Sequence, residues 1–96
     1  MSIAQTIADQ IGKRAFFMIG AKNLTGNGNS LTFKVGRNAG GVTHIRITLD
    51  EGMDLYNCEA LKVRGSKVST VKAVDGVFCD GLHDFIADAT GMVTSL

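Results

Sequence analysis

Two cysteines and two histidines are the residues of this chain whose types could support metal binding or nucleophilic catalysis. Cys79 and His83 are four positions apart in a predicted helix, so both side chains lie on one helical face and could share a metal ion. Cys58 and His44 would have to complete a tetrahedral set, but the sequence has no CxxC, no HxxxH and no second ligand pair. A nucleophilic cysteine needs an oriented base, and His83 is the only local one for Cys79. We therefore predict no catalytic residue, no metal site and no cofactor.

The charged residues are segregated along the chain, and this is the most informative pattern in the sequence. The basic residues from Lys13 to Arg46 occur with no acid between them, and those from Lys62 to Lys72 form a second acid-free block. The acids are concentrated in the turn region from Asp50 to Glu59 and in the last predicted helix. We therefore expect the strands to carry the positive charge and the last helix to carry the negative charge.

Period-two alternation within the strands predicts where the basic side chains lie. Lys34, His44 and Arg46 are out of phase with the apolar residues of their own strands, so they point to the face opposite the core. Lys62 and Arg64 lie on this face only if a bulge earlier in their strand shifts the alternation by one residue. The candidate partner-binding residues on this face and its loops are Lys34, Arg37, His44, Arg46, Lys62 and Arg64. The alternative interpretation is a solvated face whose basic residues only maintain solubility.

A helix is predicted at each end of the chain. The first runs from an N-cap at Ser2, with Gln5 at the capping-box position, to a stop at Gly12. Its apolar stripe repeats at every fourth position: Ile3, Ile7 and Ile11. The last helix runs from about Val77 to Thr90, with Gly91 as its C-terminal stop. Its apolar face has the same helical spacing: Phe78, Leu82, Phe85, Ile86 and Ala89.

Between the helices, the sequence predicts four to five strands. The apolar run from Ala15 to Ala21 predicts a central strand buried on both faces, and Asn23 to Ser30 predicts a turn or hairpin loop. Three further strands follow from alternation or apolar content: Leu31–Val35, Ile45–Leu49 and Val68–Val74. Leu55 to Arg64 changes apolar phase, which predicts a bulge or a break near Glu59 and Ala60.

The short spacing between these strands determines the predicted architecture. Parallel neighbours need long crossover connections, so short connections favour antiparallel pairing. We predict an α+β fold in which residues 1–96 form a single domain. It contains a mostly antiparallel four- to five-stranded meander sheet, with the N-terminal and the C-terminal helix packed on one face.

Bulk composition limits the cellular setting. With 96 residues and 45% hydrophobic content, the chain is expected to fold as a globular domain. A net charge of +1 predicts no global attraction to nucleic acid, and no apolar run is long enough to span a membrane. No signal peptide is apparent, and two cysteines are too few for a disulfide scaffold. We expect two reduced thiols in a cytoplasmic protein without a membrane partner.

Five segments of the chain resemble segments of known proteins: Phe17–Asn23, Leu31–Asn38, Asp54–Tyr56, Thr90–Gly91 and Thr94–Leu96. Together they resemble a family of small uncharacterised proteins from phages and mobile elements. The resemblance spans nearly the full length, and it implies expression inside a bacterial host cell. It implies no activity, so no catalytic or binding residues are transferred from the family.

Two functional hypotheses follow from different classes. The first is an accessory protein that acts without catalysis by binding a host protein or complex, one form of which is an antagonist of host defence. The alternative is a nucleic-acid-binding domain that uses the basic sheet face, with Tyr56 as the one aromatic residue expected to be exposed for base stacking. The oligomeric state stays open, since an exposed edge strand could pair across a two-fold axis to form a homodimer.

Overall fold

Alternating strands and amphipathic helices produce the predicted α+β architecture in the computed structural model, which describes residues 3–92. The elements in chain order are α1 (Ile3–Ile11), α2 (Lys13–Met18), β1 (Lys22–Asn27), β2 (Ser30–Lys34), β3 (His44–Asp50), β4 (Leu55–Arg64), β5 (Lys67–Val77), a 3₁₀ turn (Cys79–Gly81) and α3 (Leu82–Thr90). The five strands form one antiparallel sheet in the order β1-β2-β3-β4-β5. The predicted fold class is therefore confirmed.

Both long helices cover the same face of the sheet. α1 contacts β1 and β2, while α3 contacts β4 and β5. The sheet contributes one alternating set of buried side chains to the shared core: Leu31, Phe33, Ile45, Ile47, Tyr56, Cys58 and Ala60. Ile7 and Ile11 of α1 are buried against them, as the isoleucine stripe predicts. Burying each such side chain contributes roughly 1.5–3 kcal/mol, which a helix of this length needs because it is unstable alone.

The prediction of a central strand over Ala15 to Ala21 is wrong, because this segment contains α2. Ala15 and Ile19 are buried and continue the four-residue spacing of α1, whereas Phe17 is 87% exposed. A short apolar run is compatible with either a strand or a helix. In this segment the buried residues follow the helical period. Gly12 separates the two helices at a φ of 88°, a left-handed conformation that glycine adopts without steric cost.

The segment predicted as a turn or hairpin loop contains the hairpin turn and also supplies most of the first strand. β1 pairs with β2 in a hairpin, and Asn27 lies opposite Ser30, so the turn itself is only Gly28 and Asn29. All six residues of β1 are exposed, which is why the segment lacks an apolar signature. The predicted N-cap, Ser2, lies outside the described residues.

The predicted bulge is present as a register shift, but the extra residue lies in the neighbouring strand. Ala60 pairs with Lys72 while Leu61 pairs with Thr70, so Val71 of β5 is unpaired with β4. The β3–β4 ladder runs without interruption through the same residues of β4. A second shift in β5 occurs just before Val77. Bulges of this kind twist an edge strand and discourage pairing with another chain.

α3 is shorter than predicted. It begins at Leu82 rather than Val77, and its buried face includes Leu82, Phe85, Ile86 and Ala89. Phe78, which was expected on this face, precedes the 3₁₀ turn and is 68% exposed. The predicted stop is confirmed, because Gly91 adopts a φ of 75° and its N–H bonds to the carbonyl of Ala87.

Candidate functional site

The strand register divides five of the six predicted partner-binding residues between two faces of the sheet, while Arg37 lies in the loop after β2. Lys34 lies opposite His44, and Arg46 lies opposite Thr32, so the three basic residues share the face without helices. Lys62 and Arg64 share the phase of Ala60, which belongs to the core face. Because β4 itself contains no extra residue, alternation continues through its end. Lys62 and Arg64 therefore do not join the open face.

The open face is a weaker candidate than the sequence indicates. Arg46 forms a cross-strand ion pair with Glu59 at 3.8 Å, so one of the positive charges of the open face is offset by an acid. Tyr56 was expected to be exposed for base stacking, but it is buried on the helical side and donates a hydrogen bond to Gln10. Base stacking on this face would need an exposed aromatic side chain, which Tyr56 does not provide.

Four of the six predicted residues instead surround a cleft at one end of the sheet. The cleft has a volume of about 360 Å³ and lies between the end of β2, the loop after it and the end of β4. Its basic residues are Lys34, Arg37, Lys62 and Arg64, and none of the lining residues within the described chain is acidic. We call this feature the basic cleft. Clustered cations without a neutralising acid produce a positive potential that attracts anions.

Asn38 determines the shape of the loop that forms one wall of the basic cleft. Its Nδ2 donates to the carbonyls of Gly36 and Val42 at 2.8 and 2.7 Å, and its Oδ1 accepts from the Val42 N–H at 3.1 Å. Asparagine side chains commonly close turns in this way. The Asn38 amide is therefore used within the loop.

The C-terminal ends of α2 and α3 both hold this loop in place. The Gly36 N–H donates to the carbonyl of Ile19 at 2.9 Å, and the Gly40 N–H donates to the carbonyl of Thr90 at 3.3 Å. Gly40 packs so closely against α3 that a Cβ added there would lie 2.1 Å from the carbonyl oxygen of Ala89. Only glycine fits this approach. The wall that carries Arg37 is thus fixed against the core before any ligand arrives, which reduces the entropy lost on binding.

Thr43 fixes the opposite wall. Its N–H donates to the carbonyl of Leu61 at 2.8 Å, and its Oγ1 accepts from the N–H of Val63 at 2.8 Å. These bonds flank Lys62 on β4 and tie it to the start of β3. The Nδ1 of His44 lies 2.8 Å from the same hydroxyl. A threonine before a strand carries no distinctive sequence pattern, so this role of Thr43 is not recognisable from the sequence alone.

The residues considered for metal binding and catalysis either stabilise the fold or lie apart from one another. The Nε2 of His83 donates to the carbonyl of Ile11 at 2.6 Å, which fixes the end of α1 to α3. Cys58 is buried in the core, while Cys79 is exposed. Within residues 3–92, no group of three or more histidine, cysteine, aspartate or glutamate residues is arranged to hold a metal ion.

We expect the two thiols to differ sharply in reactivity. Burial raises the pKa of Cys58 to about 12, and the nearby Asp75 carboxylate adds to this effect, so its thiolate is scarce at neutral pH. Iodoacetamide at about pH 8 should therefore alkylate Cys79 alone in the native protein and both cysteines after denaturation. Mass spectrometry measures the result, with Cys79→Ser as the control. Alkylation of Cys58 in the folded protein would contradict its placement.

The fold and cleft define a small α+β domain with a helix-covered antiparallel meander and a preformed basic cleft at its end. Comparisons with models of protein families, with curated proteins and with solved structures give no match. In the part of the chain that the structure describes, no helix has the length and apolarity needed to span a bilayer.

Proposed function

We propose that this chain is a binding module without catalytic activity, and that its basic cleft holds an acidic segment of a partner protein. The observation that carries the proposal is the convergence of Lys34, Arg37, Lys62 and Arg64 around one cleft with no acid in its described lining. Arginine and lysine form charge-assisted hydrogen bonds with carboxylates, and arginine can form two at once.

The rigidity of the basic cleft supports a protein ligand. Asn38 and Thr43 hold the two walls by hydrogen bonds to the backbone. A preformed cleft binds a short extended segment with little reorganisation of its own. The described lining contains no aromatic residue, whereas modules that bind single-stranded nucleic acid usually combine cations with aromatic stacking. Nucleic acid is therefore the alternative ligand, and the experiment must distinguish it from an acidic protein segment.

The cellular setting follows from the resemblance to small phage and mobile-element proteins. In that setting, we propose that the chain is an accessory protein in the cytoplasm of a bacterium. Its partner is a host protein or complex with an exposed acidic segment. Occupying that segment would block whatever the host protein normally binds there, which is how a small protein without a catalytic site could antagonise a defence complex.

Charge removal at the cleft tests this proposal. The double variant Arg37→Ala/Lys62→Ala should bind a hexaglutamate peptide about tenfold more weakly than the wild type, because each exposed ion pair contributes up to about 1 kcal/mol. The matched control is Lys13→Ala/Arg14→Ala, which removes the same charge from the exposed surface of α2. Isothermal titration at low and moderate salt measures both variants. Equal losses in the two would show that binding follows net charge rather than the cleft.

Capture from bacterial lysate with and without nuclease identifies the class of partner. We expect a protein that is retained after nuclease treatment, is released by hexaglutamate, and is not captured by the Arg37→Ala/Lys62→Ala variant. Capture that disappears with nuclease would instead assign the cleft to nucleic acid. In that case binding should weaken steeply with salt, because neutralised phosphates release counterions.

A further inference from the structure

A second concavity lies at the opposite end of the sheet from the basic cleft. It has a volume of about 290 Å³ and is lined by Gln10, Met53, Asp54, Leu55, Tyr56, Phe78 and Cys79. Leu55 begins β4 and Arg64 ends it, so about 30 Å of strand separates the two features. We call this feature the aromatic pocket. It is independent of the function proposed for the basic cleft.

Two large apolar side chains at the aromatic pocket are unusually exposed. Met53 is 67% exposed and Phe78 is 68% exposed. Phe78 directly follows the end of β5, just after the second register shift of that strand. Bulges commonly redirect side chains next to functional sites. The pocket therefore offers an aromatic surface and a thioether to a ligand, rather than burying them in the core.

The charge of the aromatic pocket is negative. Asp54 is the charged carboxylate in its lining, and it forms no ion pair with any residue from 3 to 92. The lining contains no lysine, arginine or histidine. Burial raises the pKa of the Tyr56 phenol, and the charges of Cys79 and Asp54 raise it further, partly opposed by the hydrogen bond to Gln10. A cation is the ligand that such surroundings favour.

We infer that the aromatic pocket binds the guanidinium group of an arginine side chain on a partner peptide. The planar guanidinium can stack on an aromatic ring while its N–H groups donate to a carboxylate, and Phe78 and Asp54 present both groups in one pocket. Met53 would cover the methylene chain of the same side chain. A lysine ammonium could pair with Asp54 but lacks the flat surface for stacking.

The single tyrosine of the chain provides a direct readout. The protein has one tyrosine and no tryptophan, so its phenol absorbance and fluorescence report on Tyr56 alone. We propose to titrate the phenol with and without N-acetyl-arginine amide, because arginine keeps its charge throughout the titration range of tyrosine. A bound cation should shift the phenol titration to lower pH by a few tenths of a unit, in a saturable manner. N-acetyl-citrulline amide has nearly the same shape without the charge and should cause no such shift.

Two variants and one control locate the effect. Asp54→Asn should weaken binding of N-acetyl-arginine amide about fivefold, and Phe78→Ala about threefold. Asp54 has a φ of 56°, a left-handed conformation that asparagine tolerates, so the first variant should fold normally. Asp84→Asn removes the same charge from the exposed surface of α3 and should leave binding unchanged. The inference is overturned if N-acetyl-arginine amide causes no saturable shift, if the citrulline analogue acts equally, or if Asp54→Asn binds like the wild type.

Discussion

Replacing Phe33 with alanine is expected to lower the free energy of unfolding by about 3–5 kcal/mol. Phe33 is fully buried at the centre of the core, and its ring contacts the edge of Phe16 with centroids 5.2 Å apart and planes at 84°. The variant would lose both the transfer of the ring from water and the aromatic pair, and it would leave a cavity beneath α1. Urea unfolding followed by circular dichroism measures the change. A domain of this size has about 5–15 kcal/mol of stability, so the expected loss is a large fraction of the total.

Phe17→Ala is the matched control for this prediction, because it makes the same substitution at a phenylalanine that is 87% exposed. We expect it to change the free energy of unfolding by no more than about 0.5 kcal/mol. The pair also tests the helical assignment of this segment. If Phe17 were in a central strand buried on both faces, as the apolar run suggested, both variants would be strongly destabilised. Similar losses in the two would contradict the helix α2.

Gly40→Ala is expected to damage both stability and the basic cleft. The added methyl group would lie 2.1 Å from the carbonyl oxygen of Ala89, a distance at which backbone must move. Either the loop or the end of α3 is displaced, and the hydrogen bond from the Gly40 N–H to the carbonyl of Thr90 is lost. Overpacking of this kind costs about 1–3 kcal/mol. Because the loop carries Arg37, we also expect hexaglutamate binding to weaken about tenfold.

Gly52→Ala provides the control for the loop prediction. A Cβ at Gly52 would meet only the Oδ1 of Asp50, at an ordinary contact distance of 3.5 Å. Stability and binding should both stay close to those of the wild type. Urea unfolding and peptide titration of the two glycine variants separate a local steric effect from a general effect of removing glycine. Wild-type affinity in Gly40→Ala would mean that the loop does not determine the cleft.

Periodicity predicted those parts of the fold whose burial follows a single repeat. The spacing of Ile3, Ile7 and Ile11 identified α1, and strict alternation identified β2 and β3. It failed where burial is decided by neighbours. Phe16, Phe17 and Met18 are consecutive apolar residues, yet Phe16 and Met18 are half-buried while Phe17 is exposed, because the helix turns their side chains in different directions. β1 escaped detection because both of its faces are exposed.

The predictions for the candidate site likewise succeeded where the strands alternate regularly and failed elsewhere. Lys34, His44 and Arg46 lie on the predicted face because their strands alternate without interruption. Lys62 and Arg64 could not be placed, since the phase change in β4 suggested a bulge there and the extra residue is in β5. The basic cleft depends on long-range contacts of the loop with both α2 and α3. No local sequence pattern indicates such contacts, so only the tertiary structure shows that Arg37 and Lys62 line the same cleft.

The strand order described above also bears on how the chain assembles. Each strand pairs only with strands that are adjacent in sequence, and α1 docks on the first two of them. Topologies built from such short-range pairings fold faster than those that must close long loops. The sequence contains no proline, so the slow cis–trans isomerisation that delays many chains by tens of seconds is absent. α1 and the two strands that it contacts lie within residues 3–34, so this part of the core is built from contacts between segments that are close in sequence.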